Sequence, residues 1–314
     1  MPRSSIRSAG SAGEWVTFHC VNAPPEPPSS RPIREVRDET VRALASAGVP
    51  DPEVDADLLL GHVLGLSRGG VQARLIVGGE LGATDAAALA ELVARRARRE
   101  PLQHLTGRAA FRSLDLAVGP GVFVPRPETE LLAQLAIDAL RAAAEPEPIA
   151  LDLGSGSGAI ALSMATEVPH ARVWAVENSA AAFPWTRRNV DEAGAPNLEL
   201  VFGDLAVALP ELDGRAAVVA SNPPYIPAGA IPRDPEVRLY DPEHALYGGA
   251  DGLDVVRVLS RRALELLHPG GTLMIEHGEA QATEIAALLS GDGWHAIAHH
   301  RDLTGRDRVT TARR

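Results

Sequence analysis

From residue 149 onward, short apolar runs alternate with segments of helical periodicity, and this alternation restricts the fold more than any other feature of the chain. Such runs, rich in valine, leucine and alanine, are typical of buried strands. They occupy residues 149–153, 172–176, 198–202, 216–220 and 272–276. The helical segments between them predict an α/β fold, a parallel sheet with helices on both faces. A closing pair of strands is predicted at 295–299 and 308–312.

The chain before this region has a different pattern. Its total of 314 residues exceeds the usual domain size of about 100–200 residues, so we expect two domains. Helical periodicity runs from Ile33 to Arg99, with Asp85 as the expected cap of the fourth helix. Residues 100–107 are expected to interrupt the helices, and a hairpin to turn at Gly119-Pro120-Gly121. The predicted parts are a disordered proline-rich tail (1–30), a helical substrate-recognition domain (31–106), a β-hairpin linker (107–126) and a catalytic domain (127–314).

Two segments of the first half allow more than one interpretation. Arg95, Arg96, Arg98 and Arg99 end the fourth helix, where cations are favourable. They are either a solvated helix end or a docking surface for an acidic or RNA-associated partner. Residues 124–130, with proline on both sides of Arg126, form either a rigid interdomain linker or a cover over a ligand cleft, and both can hold.

Composition excludes several classes of protein. The formal net charge is −11, whereas proteins that bind nucleic-acid phosphates are usually basic, so we expect no direct nucleic-acid contact. The single cysteine, Cys20, rules out an internal disulfide framework and a cysteine-based zinc site. No apolar run approaches the ~20 residues of a membrane helix, and the N-terminus lacks the apolar core of a signal peptide. We therefore expect a cytoplasmic protein without a membrane partner or a metal.

A glycine-rich loop joins the first strand of the sheet to its helix, in Asp152-Leu153-Gly154-Ser155-Gly156-Ser157-Gly158-Ala159. Glycines let such a turn close tightly and let a ligand approach the backbone. Gly154, Gly156 and Ala159 satisfy the dinucleotide pattern, which by itself is a weak signal. The further glycine, Gly158, favours a non-phosphate ligand such as S-adenosylmethionine.

Acidic residues end the next two strands. Glu177 can accept both hydrogens of a ribose diol, as in proteins that bind NAD or S-adenosylmethionine, or can be an acid near a helix N-terminus. Asp204 can accept from an adenine amino group or can cap the following turn. These two acids do not distinguish the two cofactors.

The fourth strand ends in Ser221-Asn222-Pro223-Pro224-Tyr225. Two prolines cannot donate to a sheet ladder, so Asn222 lies at the carboxyl edge, where open α/β sheets bind ligands. Asn222 offers an acceptor and two donors, the prolines offer only carbonyls, and Tyr225 offers a flat ring. This combination suits a planar NH2 group that accepts a methyl.

These motifs, taken in order along the chain, resemble the PrmC/HemK family of peptide chain release factor glutamine methyltransferases. The resemblance covers the chain from about residue 33 to its end. It rests on residues 100–107, 124–130, 152–161, 222–226, 245–253 and 276–278. It implies a class I S-adenosylmethionine-dependent methyltransferase with a seven-stranded, Rossmann-like sheet and a small N-terminal helical domain joined by a β-hairpin. The implied substrate is the glutamine of the Gly-Gly-Gln motif in class I release factors.

The resemblance also implies roles for individual residues. Asn222, Pro223 and Tyr225 would be catalytic, and with Pro224 they would hold the glutamine amide. The cofactor would be bound by Gly154, Ser155, Gly156, Ser157, Gly158, Glu177, Asp204, Leu205 and Asn222. Family members can carry an aromatic residue where this chain has Leu205, so adenine would pack on an apolar side chain without stacking. Glu177 stands where aspartate is common in the family, and the longer side chain should change only how far the carboxylate extends.

Two other functions fit parts of the pattern. An adenine-N6 DNA or RNA methyltransferase also modifies a planar NH2 group, on a base flipped out of the helix. A nucleotide-binding dehydrogenase or a non-catalytic partner-binding module would share the glycine loop but not the Asn-Pro-Pro-Tyr sequence.

Overall fold

A computed structural model of the protein describes residues 30–314. The predicted tail, apart from Ser30, and Cys20 lie outside the described residues. Ser30 itself pairs in a short strand rather than belonging to the tail. The first elements are β1 (Ser30–Pro32), α1 (Ile33–Ser46), α2 (Pro52–Leu64), α3 (Arg68–Val77), β2 (Glu80–Gly82), α4 (Ala83–Ala97) and α5 (Leu102–Thr106).

The helices α1 to α5 enclose a small apolar core of their own. Ile33, Leu44, Leu60 and Leu89 are buried in it, which explains the helical periodicity of the sequence. Two details differ from prediction. Asp85 lies inside the first turn of α4 and does not cap it, because the helix begins at Ala83, directly after β2. The predicted interruption after Arg99 contains the short helix α5.

The hairpin between the two parts turns at a different place from the predicted one. Its strands are β3 (Arg108–Phe111) and β4 (Leu114–Ala117), so the turn lies at Arg112-Ser113. Arg112 adopts a positive φ of 53° and is held there by an ion pair to Glu167 at 2.6 Å. Gly119 is needed for packing instead, since a Cβ there would come within 2.5 Å of the Trp185 ring.

The remaining chain forms the predicted alternation of helices and strands. In chain order the elements are α6 (Thr129–Ala142), β5 (Ile149–Leu153), α7 (Ala159–Glu167), β6 (Arg172–Glu177), α8 (Phe183–Ala193), β7 (Leu198–Phe202), β8 (Ala216–Ser221), α9 (Pro235–Tyr240), α10 (Glu243–Leu246), α11 (Asp254–Leu266), β9 (Leu267–Glu276), α12 (Ala282–Gly291), β10 (His295–Arg301) and β11 (Asp307–Arg313). The predicted closing pair of strands is confirmed.

These strands form one seven-stranded sheet in the order β10-β11-β9-β8-β5-β6-β7. The five strands from β9 to β7 pair in parallel, whereas β11 runs antiparallel to β9 and to β10. Apolar cores cover both faces, one under α6 and α7 and one under α11 and α12. The chain builds outward from β5 through β6 to β7 and then returns to β8 on the other side. The carboxyl ends of β5 and β8 therefore flank the switch point, where open α/β sheets bind ligands.

An ion-pair cluster joins the helical part to α9. Arg96 is only 6% exposed, and its guanidinium contacts Asp55 at 2.6 Å and Glu236 at 2.7 Å. Arg99 contacts Glu236 at 2.6 Å. Although burial acts to raise it, hydrogen bonds from Arg99 and Arg96 hold the pKa of Glu236 well below its usual value. The prediction of a solvated helix end is therefore wrong for these arginines, whose acidic partner is the chain's own Glu236.

Candidate active site

The carboxyl ends of β5, β6, β7 and β8 open into one cavity of about 650 Å³. The glycine loop after β5 and the turn after β8 both line it, so the fold brings together the two motifs that the sequence singled out. The predicted site residues that line it are Gly154, Ser155, Gly156, Ser157, Glu177, Asp204, Leu205, Asn222, Pro223, Pro224 and Tyr225.

The glycine loop is shaped by backbone conformations that favour glycine. Gly154 and Gly156 have φ of +83° and +56°, and a Cβ on either would meet open space. Gly158 has a φ of +84° and is not one of the described residues that line the cavity. A Cβ there would lie 3.0 Å from Thr186 of α8, so this glycine permits close helix packing.

Glu177 is buried at the end of β6 and is held by the backbone. Its Oε2 accepts from the Gly156 N–H and its Oε1 from the Ser179 N–H, both at 2.7 Å. The carboxylate thus fixes the glycine loop and also faces the cavity, and each oxygen retains a lone pair for a ligand hydroxyl.

Asp204 and Leu205 form the opposite wall. Oδ1 of Asp204 accepts from the Ala206 N–H at 2.9 Å, so this residue caps its turn as well as lining the cavity. Leu205 packs on the apolar core beneath α11 and presents an apolar surface to the cavity.

Asp152 supports the loop from inside the sheet. Its Oδ2 accepts from the Ala161 N–H at 3.0 Å, while Oδ1 finds no partner within residues 30–314. Burial raises the pKa of this carboxyl to about 7. The folded protein therefore retains a proton that the unfolded chain releases near pH 4, and the folded state loses stability as the pH rises from about 4 to 7.

Replacing Asp152 with asparagine is expected to raise the melting temperature at pH 8 by at least about 3 °C and to change it little at pH 4. Asparagine keeps the acceptor for Ala161 and removes a buried charge, and each unit of pKa shift corresponds to about 1.4 kcal/mol. Calorimetric melting at both pH values measures this, with the exposed Asp191→Asn as the matched control. A variant that melts like the wild type at pH 8 contradicts the assignment.

The turn after β8 is braced from behind by residues 245–253. The Ile226 N–H donates to the Leu246 carbonyl at 2.8 Å, and the Gly248 N–H donates to the Ile226 carbonyl at 2.9 Å. Gln281 donates from Nε2 to the Tyr225 carbonyl at 2.9 Å. A Cβ on Gly248 would lie 2.3 Å from the Pro224 carbonyl oxygen, so that carbonyl faces the brace and not the cavity centre. Asn222 and Pro223 line the cavity beside it.

Several lining residues were not identified as site residues from the sequence. Phe123, Arg126 and Thr129 come from the segment before and at the start of α6, in agreement with its interpretation as a cleft cover. Arg126 is fixed by an ion pair of 2.6 Å to the buried Asp241. The region of α9 and α10 adds Val237, Pro242, His244 and Leu246. Proline on both sides of Arg126 was the available signal for the first segment. For the second segment the signal was the motif at residues 245–253, which contains Leu246.

Comparison with known proteins identifies relatives over nearly the whole chain. The PrmC N-terminal domain family matches residues 35–107 and the methyltransferase small domain family matches residues 113–233. The release factor glutamine methyltransferase of Streptomyces coelicolor is 48% identical over 90% of this chain and 98% of its own length. The chain belongs to the release factor glutamine methyltransferase family.

Other members of the family match similarly. The enzyme of that name from Bifidobacterium longum is 44% identical over 89% of this chain and 99% of its own. A solved structure of the release-factor-specific protein-(glutamine-N5) methyltransferase from Alicyclobacillus acidocaldarius is 29% identical, covering 63% of this chain and 98% of its own, with a TM-score of 0.37. The two family models and the seven-stranded sheet confirm the expected class I methyltransferase fold with an N-terminal helical domain.

The methyl donor of such an enzyme is S-adenosylmethionine, and the cavity fits it. Open space lies above Gly154 and Gly156, where the backbone can be approached closely. The buried Ser155 hydroxyl finds no hydrogen-bond partner in the described part of the chain, so it is available to a ligand. Glu177 supplies a fixed carboxylate for hydroxyl groups, and Leu205 supplies an apolar wall.

None of the helices in residues 30–314 is long and apolar enough to cross a membrane. The same residues include no group of three or more His, Cys, Asp or Glu side chains that could hold a metal ion.

Proposed function

We propose that this protein methylates the side-chain amide nitrogen of the glutamine in the Gly-Gly-Gln motif of class I peptide chain release factors. The observation that carries the proposal is the single cavity in which the Asn222–Tyr225 turn faces the glycine loop. A planar amide can reach the turn while a methyl donor occupies the loop. Family membership gives the reaction, and the chemistry of the turn selects a planar NH2 group as the acceptor.

The turn recognises such a group by accepting its hydrogens. Asn222 Oδ1 and the Pro223 carbonyl are acceptors, and proline lacks the N–H that would compete for the same position. Tyr225 is half-buried beside them, and burial raises its pKa to about 12. Its phenol therefore stays neutral at physiological pH, so it offers a ring to pack on the amide plane and not a base.

Catalysis follows from alignment and charge stabilisation. S-adenosylmethionine, when bound, would supply a methyl group that is already activated by a sulfonium, and it would leave as the neutral thioether S-adenosyl-L-homocysteine. An amide nitrogen is a weak nucleophile, so the protein must hold it in line with that methyl, which can be worth about 7–11 kcal/mol. The Asn222 and Pro223 oxygens stabilise the positive charge that grows on nitrogen, and the nitrogen then loses its proton to solvent.

Methyl incorporation from labelled S-adenosylmethionine tests the proposal. The substrates are a purified class I release factor, its Gly-Gly-Ala variant and duplex DNA. Label on the wild-type factor alone is the expected result. Label on DNA would support the adenine-N6 alternative, whose target is also a planar NH2 group, and would overturn the release-factor assignment. Label on neither would also overturn it.

Replacing Glu177 with alanine is expected to weaken S-adenosylmethionine binding about 10- to 100-fold, because a hydrogen bond to a charged group contributes about 1.5–3 kcal/mol. The variant also releases the Gly156 and Ser179 amides and so loosens the loop. Isothermal calorimetry measures the affinity, with the exposed Glu199→Ala on the neighbouring strand as the control. Unchanged affinity in the Glu177 variant would refute the assignment.

The proposed partners and compartment follow from the substrate. A release factor is a translation protein, so we place the reaction in the cytoplasm. The net charge of −11 supports recognition of the protein substrate without direct contact to nucleic acid. The helical part would help to recognise the factor, since its Arg96 and Arg99 hold α9 beside the cavity.

A further inference from the structure

Glu276 is a buried carboxyl next to the catalytic turn that the reaction so far does not use. Ser221 of β8 pairs with Ile275 of β9, so the residues that follow, Asn222 and Glu276, are neighbours across the two strands. Glu276 is the last residue of β9 and pairs with Val309 of β11 on its other side. Glu276 is 1% exposed and does not line the cavity in the described chain, whereas Asn222 and Thr129 do. Glu276 therefore lies behind the residues that face a substrate.

Packing does not account for a carboxyl at this position. Oε2 of Glu276 has no hydrogen-bond partner within residues 30–314, and burial raises the pKa of the group to about 7. The Thr129 and Asn222 side chains and the Arg308 charge act in the opposite direction. Burying a carboxyl with one unpartnered oxygen disfavours folding, so an apolar residue of similar size would pack there more favourably.

A neighbouring group must set which end of the Asn222 side-chain amide faces the cavity. The two ends of this amide have nearly the same shape, but only Oδ1 can accept a hydrogen from the substrate nitrogen. Nδ2 of Asn222 donates to Oγ1 of Thr129 at 3.4 Å. A threonine hydroxyl has one hydrogen, and when that hydrogen points to a neighbouring carboxyl, its lone pairs are left for Asn222. A Thr129 hydroxyl oriented in this way fixes Nδ2 on the inner side and Oδ1 on the cavity side.

We propose that Glu276 is a positioning residue for methyl transfer, which acts through the Thr129 hydroxyl to keep Oδ1 of Asn222 turned toward the substrate nitrogen. This inference rests on the proposed function, and it names the group that orients Asn222 Oδ1, the proposed acceptor for the substrate amide. Its role requires an acceptor oxygen at position 276 and a hydroxyl at position 129, and it requires no contact with either substrate.

The test measures kcat, KM, cofactor affinity and melting temperature for substitutions at both positions. Glu276→Leu removes both acceptor oxygens and is expected to lower kcat about 10- to 100-fold, because a misplaced positioning group can cost about 100-fold in rate. KM for the release factor, the calorimetric Kd for S-adenosylmethionine and the melting temperature should stay within a few fold or a few degrees of wild type. Glu276→Gln keeps an acceptor oxygen and should recover most of the loss.

Substitutions of Thr129 test whether Glu276 acts on Asn222 through the Thr129 hydroxyl. Thr129→Val should lower kcat as much as Glu276→Leu does, and Thr129→Ser, which restores the hydroxyl, should recover most of it. The double variant should be no slower than either single one, because both remove the same interaction. Losses that multiply would overturn the inference, as would wild-type kcat in Glu276→Leu. A lower melting temperature with weaker cofactor binding would also overturn it, by showing a structural role.

The wild-type reaction in the same assay separates the two proposals. If the wild-type protein transfers no methyl group to the release factor, the proposed function fails and the role of Glu276 in it fails too. If it transfers methyl normally and Glu276→Leu does so equally well, only the positioning role is overturned.

Discussion

Replacing Asn222 with alanine is expected to lower kcat for methyl transfer by at least about 100-fold while S-adenosylmethionine still binds. Loss of one preorganised group that stabilises transition-state charge typically costs about 10²–10³ in kcat. Asn222 lines the cavity at the carboxyl end of β8, and in the proposed mechanism it supplies such a group and aligns the amide. We expect cofactor binding to depend mainly on the glycine loop and Glu177, whose hydrogen bond to each other the substitution leaves in place.

Single-turnover kinetics with a release factor and calorimetry with S-adenosylmethionine measure the two effects separately. The melting temperature of the variant serves as the control for folding, because Asn222 is half-buried at the end of a strand. Turnover close to that of the wild type would remove Asn222 from the mechanism. Loss of turnover together with cofactor binding would indicate that the substitution has disrupted the cavity as a whole.

Replacing Gly248 with alanine is expected to lower kcat by about 100-fold and to reduce stability, although this residue carries no functional group. Its added Cβ would lie 2.3 Å from the Pro224 oxygen and 2.6 Å from the Gly252 oxygen. Both neighbours are backbone atoms, so the turn that contains Asn222 must move. A displacement of about 1 Å at a reacting centre can cost about 100-fold in rate.

Gly229→Ala is the matched control for this substitution. Gly229 follows the Asn222–Tyr225 turn in the segment between β8 and α9, is exposed, and would place its Cβ in open space. It should retain wild-type kcat and melting temperature. Equal activity of Gly248→Ala and Gly229→Ala would show that the brace of residues 245–253 does not position the catalytic turn.

The alternation of strands and helices was predictable because it depends on local periodicity. Parallel strands of such a sheet are mainly apolar, so β5, β6, β7 and β8 were located within one residue of their observed bounds. The hairpin was misplaced because its turn residue, Arg112, has a positive φ that a side chain from elsewhere stabilises. Glycines at 119 and 121 indicated a turn, but Gly119 instead makes room for Trp185 of α8.

The arginines at the end of α4 are a second feature whose contacts could not be predicted from local sequence. Their helix position was readable from the sequence, yet their partner, Glu236, lies 140 residues from Arg96 along the chain. Local sequence contains no information about such a pair, so a solvated end and an external partner were the available interpretations.

The sequence by itself determined the order of elements, the glycine loop and the Asn-Pro-Pro-Tyr turn, because each of these depends on residues close together in the chain. It also determined membership of the methyltransferase family, through the order in which short motifs follow one another along the chain. Only the tertiary structure decided how that turn is held. The close approach of Gly248 to Pro224 and the contact between Asn222 and Thr129 join segments far apart in sequence. Burial in the folded sheet also raises the pKa of the Asp152 and Glu276 carboxyls, because it removes them from water. This burial depends on the packing of distant segments, so no local sequence pattern encodes it.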